Sequence, residues 1–115
     1  MRSAIASLFI TTAAFLNGPA WAGPRDLAPS ERELLQQELF KQLKDPDSAK
    51  VRWPAFQGGT AYCGFFNAKN SYGGYVGYQA FMASVKKTDG VITTVTNVLI
   101  HRAAADVCAS IGYPG

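Results

Sequence analysis

The chain has 115 residues, a formal charge of +3 and 48% hydrophobic residues, a balance that excludes a disordered or fibrous protein. The charge is too weak to argue for nucleic acid or a membrane surface as partner, so none is expected. One histidine and two cysteines leave too few ligands for a metal site of the zinc type, and neither a metal nor a cofactor is expected.

Met1 to Ser3 carries one positive charge, Ala4 to Leu16 is an uncharged apolar run, and Asn17-Gly18-Pro19 breaks it before the small residues Ala20 and Ala22. This is the outline of a secretory signal peptide cleaved after Ala22. The apolar run falls short of the ~20 residues that span a bilayer, and no cysteine near the cleavage point offers a lipid site. Removal of 22 residues from 115 leaves 93, with the formal charge falling from +3 to +2 as Arg2 is lost. The expected location is the periplasm or the outside of the cell, without a membrane anchor.

Residues 23–29 hold two prolines and no periodicity, so the sequence predicts an extended, flexible leader before a single domain over residues 30–115. Ser30 and Glu33 have the spacing of a capping box and predict a helix from Ser30 or Glu31. Leu35, Leu39 and Leu43, with Leu34 and Phe40, make its apolar stripe, and Pro46 stops it at Lys44-Asp45. Asp45 and Asp47 flank Pro46 without the further oxygen ligands of a calcium loop.

Beyond Asp47 the period changes to two. Val51 and Trp53 alternate with Lys50 and Arg52 until Pro54, the pattern of a short edge strand. Thr60 to Ala68 is apolar on both faces and predicts a central strand. A third strand is expected over Tyr75 to Val85 and a fourth over Val91 to Ile100, joined by a hairpin ending in Asp89-Gly90. Arg102 to Ile111, closed by Gly112, reads as a short helix.

Cys63 and Cys108 are the two cysteines of the chain, and export takes both to an oxidising compartment, so they are expected as one disulfide. Closing a loop of this length contributes on the order of 4 kcal/mol in the chain-entropy view. The expected architecture is therefore α+β: an N-terminal helix packed on a four-stranded antiparallel sheet, a short C-terminal helix and one disulfide.

LKDPDSAKVR, over Leu43 to Arg52, followed by CGFFNAKNSYGGYVGYQAF, over Cys63 to Phe81, resembles a recurring small exported domain of proteobacteria, met as periplasmic proteins or lipoproteins. The shared pattern is LKDPxSAxxR and then CGxxNAKNxxGGYxGxxxF, across the middle third of the chain. The resemblance implies export and a shared fold, and no activity. Its lipoprotein members carry a cysteine after the signal that this chain lacks, so an anchor does not carry over.

The NAKN-GGY run supplies the candidate binding residues: Asn67, Lys69, Asn70, Tyr72, Tyr75 and Tyr78. Tyrosine adds a large rigid face and a hydroxyl, and asparagine and lysine add adaptable polar contacts, a mixture suited to an envelope protein or a glycan. Against this, Gly73-Gly74 makes a bend, and residues 75 and 78 have opposite parity. Either the glycines twist the ribbon or at least one tyrosine belongs to the core. The sequence favours core and turn for the tyrosines.

The expected function is thus a non-catalytic exported binding module, an inhibitor or accessory subunit. The alternative is a small periplasmic hydrolase or thiol enzyme using Cys63, His101 and Asp106. Ser71 or Ser84 can be written beside His101 and Asp106, yet no nucleophile-elbow pattern supports them.

Overall fold

A computed structural model describes residues 23–113, so the expected signal peptide, residues 1–22, lies outside the described residues. The element order is α1 (Pro29–Phe40), a 3-10 turn (Pro46–Ser48), β1 (Lys50–Arg52), β2 (Ala61–Asn67), β3 (Gln79–Thr88), β4 (Val91–Leu99) and α2 (Arg102–Ser110). The four strands form one antiparallel sheet in the order β1-β2-β3-β4. This is the expected α+β fold with β1 at an edge and β2 inside.

Strand parity assigns the two faces. Tyr62, Gly64 and Phe66 of β2 lie opposite Ala83, Phe81 and Gln79 of β3, so they share one side of the sheet. On that side Tyr62, Phe66, Phe81, Ala83 and Val85 are buried with Leu35 and Leu39 of α1. Aromatic rings fill the β1–β2 end: Trp53 and Phe56 each lie 6.3 Å from Tyr62, and Tyr113 packs edge-on at 5.5 Å. The Tyr62 hydroxyl is not left unpaired, since it donates to the Pro54 carbonyl at 2.7 Å. Burial pushes its pKa upward.

Gly64 has a specific task here. A Cβ at this position would come within 2.7 Å of the Phe81 ring, so the glycine lets that ring lie across β2. The opposite face carries Cys63, and its bond to Cys108 with Cα atoms 5.9 Å apart pins α2 there. Ala104 and Cys108, one turn apart, are the buried positions of α2.

Several boundaries differ from the sequence reading. Helix α1 begins one residue earlier, with Pro29 in its first turn and Ala28 as N-cap, and Glu31 rather than Glu33 turns back to the cap, accepting the Ala28 N–H at 2.8 Å. It also ends earlier, at Phe40. Beyond it Gln42 N–H and Leu43 N–H bond three residues back, to Leu39 and Phe40, and the chain unwinds through this tighter turn.

The leader runs extended but is held. Arg25 and Phe56 exchange backbone hydrogen bonds of 3.1 and 2.7 Å, and Leu27 is buried in the core. Strand β3 starts at Gln79, not Tyr75, because Gly77 takes φ +100° and turns the chain before it. Register shifts in β3·β4 and a positive φ at Asn97 re-phase the simple alternation expected of β4, so Ile92 and Val95 are both buried.

Candidate functional site

The loop between β2 and β3 is built by its own asparagines. The Asn70 side-chain oxygen accepts the N–H groups of Tyr72 at 2.9 Å and Gly74 at 3.3 Å, closing a turn in which Gly73 has φ +83°. Asn70 and Gly74 also join through the backbone, as do Lys69 and Tyr75 in a single antiparallel bridge. The Asn67 oxygen reaches across to the Gly77 N–H at 3.1 Å. Both side-chain oxygens that could have met a partner therefore shape the loop.

This folding brings two tyrosines over β1. The Tyr75 hydroxyl donates to the Ser48 carbonyl at 2.8 Å, and its ring receives Lys50 Nζ at 4.8 Å and Lys69 Nζ at 5.8 Å from the centroid. Arg52 lies over Tyr78 with its guanidinium carbon 3.8 Å from the ring centre. Lys50 and Arg52 face the same way because they are two residues apart on one strand. Ser48 ties the base together, accepting the Lys69 N–H at 2.9 Å while donating to Asp45 O at 2.7 Å.

None of the three tyrosines belongs to the core: Tyr72 is 95% exposed, Tyr75 41% and Tyr78 40%. The ribbon resolves the parity conflict by turning at Gly77. Tyr72 stands apart at the loop tip, while Tyr75 and Tyr78 join Lys50, Arg52 and Lys69. The sequence reading leaves Lys50 and Arg52 out of the binding set: their interleaving with Lys69 and the aromatics suggests only a stacking surface for single-stranded nucleic acid, set aside for an exported chain of this charge, while their alternation with Val51 and Trp53 marks them as outward-facing.

Charge on this surface is not neutralised internally. Among the described residues the ion pairs are Arg25–Glu31 and Lys41–Glu38, and neither involves Lys50, Arg52 or Lys69. Aromatic rings rather than carboxylates hold these cations in place, which leaves their charge available to an incoming anion. Beside Arg52, a groove of about 610 Å³ runs between Trp53, Pro54, Phe65 and Tyr78 on one side and Ala105 of α2 on the other.

The residues proposed for catalysis do not assemble. Cys63 is fully buried and bonded to Cys108, and no free cysteine remains, so thiol chemistry at Cys63 is unavailable to the oxidised protein. His101 is the N-cap of α2, and its Nδ1 accepts the Ala103 N–H at 3.0 Å. Asp106 lies on the exposed side of that helix. Among the described residues no hydrogen bond connects Ser71 or Ser84 with His101, and no cluster of three or more His, Cys, Asp or Glu could hold a metal ion.

A second charged centre lies across the molecule. Glu31 has no exposed surface and accepts four hydrogen bonds: two from Arg25 at 2.7 and 2.6 Å, one from Ala28 N and one from Ile92 N at 2.8 Å each. The Arg25 hydrogen bond, set against burial and helped by the backbone donors, brings its pKa down to about 2. Every oxygen here is occupied, so this centre ties the leader, α1 and β4 together and offers nothing to a ligand.

The fold and surface define a class: a disulfide-pinned α+β domain with a cationic and aromatic face beside an edge strand. Comparison with protein-family models, with characterised proteins and with solved structures finds no match to the chain.

Proposed function

We propose that the protein is a non-catalytic exported envelope protein that binds another envelope component, acting as an inhibitor or accessory module, after cleavage of a signal peptide at Ala22. The observation that carries this reading is the set of Lys50, Arg52 and Lys69, held against Tyr75 and Tyr78 and in no ion pair among the described residues. A surface fixed in this way loses little side-chain entropy on binding. The resemblance to small exported proteobacterial domains supports the location, and a disulfide is compatible with it. Among the described residues no helix is long and apolar enough to cross a membrane.

The test is capture from envelope extracts by the immobilised mature protein, compared with Arg52→Glu, Lys69→Ala and Tyr72→Ala. Partners retained by the parent and lost with Arg52→Glu and Lys69→Ala support the reading. An unchanged set of captured partners across all variants overturns it.

A further inference from the structure

The face just described continues onto the outer side of β1. In the strand order β1-β2-β3-β4, β1 has a neighbour on one side, and among the described residues no backbone group of Lys50, Val51 or Arg52 bonds to anything beyond β2. An edge with a free row of N–H and C=O groups is a template for another strand. At β4, the other edge, Glu31 of α1 accepts the Ile92 N–H and Gln42, in the turn after α1, donates to the Val98 carbonyl at 2.6 Å, so side chains cap one backbone group near each end of that strand.

We infer that β1 takes an acidic, extended peptide segment of a partner protein as a fifth strand. The inference rests on the binding reading above and names its ligand. Side chains alternate along an added strand, so residues two apart lie beside Lys50 and Arg52 and are carboxylates, matching the unneutralised cations opposite them. The residue between them points to the other side, next to half-buried Val51, and is apolar. Two positions beyond the Arg52 partner, the next side chain on the cationic face meets the groove of about 610 Å³ and is apolar or aromatic. Arg52 stacked on Tyr78 keeps the in-plane edge of its guanidinium free for a bidentate carboxylate. The recognised pattern is acidic, apolar, acidic, any residue, aromatic, in the direction that sets the aromatic residue beside Pro54.

The test titrates the mature, oxidised protein with a fluorescent peptide of sequence Thr-Glu-Val-Glu-Val-Phe-Thr, its reversed sequence, and a version with the two glutamates adjacent. Two further peptides carry backbone N-methyl groups on alternate residues, in the two opposite phases. The inference expects saturable binding, abolished by N-methylation in one phase and preserved in the other, because one edge of an added strand meets β1. Arg52→Glu weakens binding about tenfold or more, whereas Lys86→Glu, with the same change in net charge on β3, alters it by less than about twofold. Equal effects of the two N-methyl phases, or equal binding of the adjacent-glutamate peptide, overturn strand addition. Binding of an acidic polysaccharide such as polygalacturonate with no peptide binding overturns the peptide as ligand. Should capture from extracts depend on Arg52 while every peptide fails, the binding module stands and this inference falls; loss of both ends both.

Discussion

Along β4, the Ile92 N–H and the Val98 carbonyl are each met by a side chain of or just beyond α1, and the charge brought there by Glu31 is cancelled by Arg25. Along β1 the outer backbone groups have no partner among the described residues, and Lys50 and Arg52 lie over tyrosine rings with no carboxylate beside them. One edge is tied to the fold at both ends by side chains, with its buried carboxylate fully paired. The other resembles an interface waiting for its second half. Polar groups that serve stability are expected to be paired and buried, and those that serve recognition to be fixed but unpaired.

The largest effect expected from breaking this contrast comes from the disulfide, which sets α2 as the far wall of the groove. Replacing Cys63 and Cys108 together by alanine should cost about 4 kcal/mol in urea unfolding, given the 45-residue separation, and should loosen the β1 side through Ala105.

On the sealed side, Glu31→Gln should cost about 2 to 3 kcal/mol, because an amide nitrogen replaces an acceptor among donors from Arg25, Ala28 and Ile92. The same carboxylate predicts an acid limb. Its pKa is about 2 when folded and near 4.5 when unfolded, so the unfolded state binds the proton first as pH falls. The stabilisation is complete above about pH 5 and is lost between about 4.5 and 2, with a size of about 2 to 3 kcal/mol. Solvent at the Arg25 side chain, which is 38% exposed, screens the pair and keeps the gain below the full shift. Glu31→Gln should flatten this limb, as followed by thermal melts across pH.

Gly64→Ala should cost about 1 to 3 kcal/mol, since the new methyl must displace the Phe81 ring or the Arg52 carbonyl 3.1 Å away. Smallest are the changes at the open edge. Tyr75→Phe removes one exposed hydrogen bond to Ser48 and should cost about 0.5 to 1 kcal/mol, and Arg52→Glu should move stability by no more than about 0.5 kcal/mol. An Arg52→Glu loss as large as that of Glu31→Gln would break the contrast.

Much of this contrast could be read from particular residues before the fold was known. Leu35 and Leu39 of the leucine stripe, the two-residue alternation around Val51, the Asp89-Gly90 hairpin and the pairing of Cys63 with Cys108 are local or compositional signals, and each appears, while Leu43 falls beyond the end of α1. Glu31 is hidden because Ser30 and Glu33 satisfy the same spacing rule two residues along. Pro29, suited to the first helical turn, was the signal that could have placed the helix start. The partners Arg25 and Ile92 lie 6 and 61 residues from Glu31, and the second of these distances has no local signature. The tyrosine surface was half legible. Asn67, Lys69 and Tyr75 were named from the loop, but Lys50 and Arg52 enter through β1–β2 pairing and the turn at Gly77, which only the tertiary fold brings together.

Whether the β1 edge binds while the β4 edge serves the fold can be read residue by residue from amide chemical shifts of the protein from residue 23 onward, titrated with the acidic alternating peptide. Perturbations should gather at residues 49–54, Tyr75, Tyr78 and Ala105, leaving 91–99 and the Glu31 centre unchanged. Shifts centred on β4, or none at saturating peptide, would contradict it.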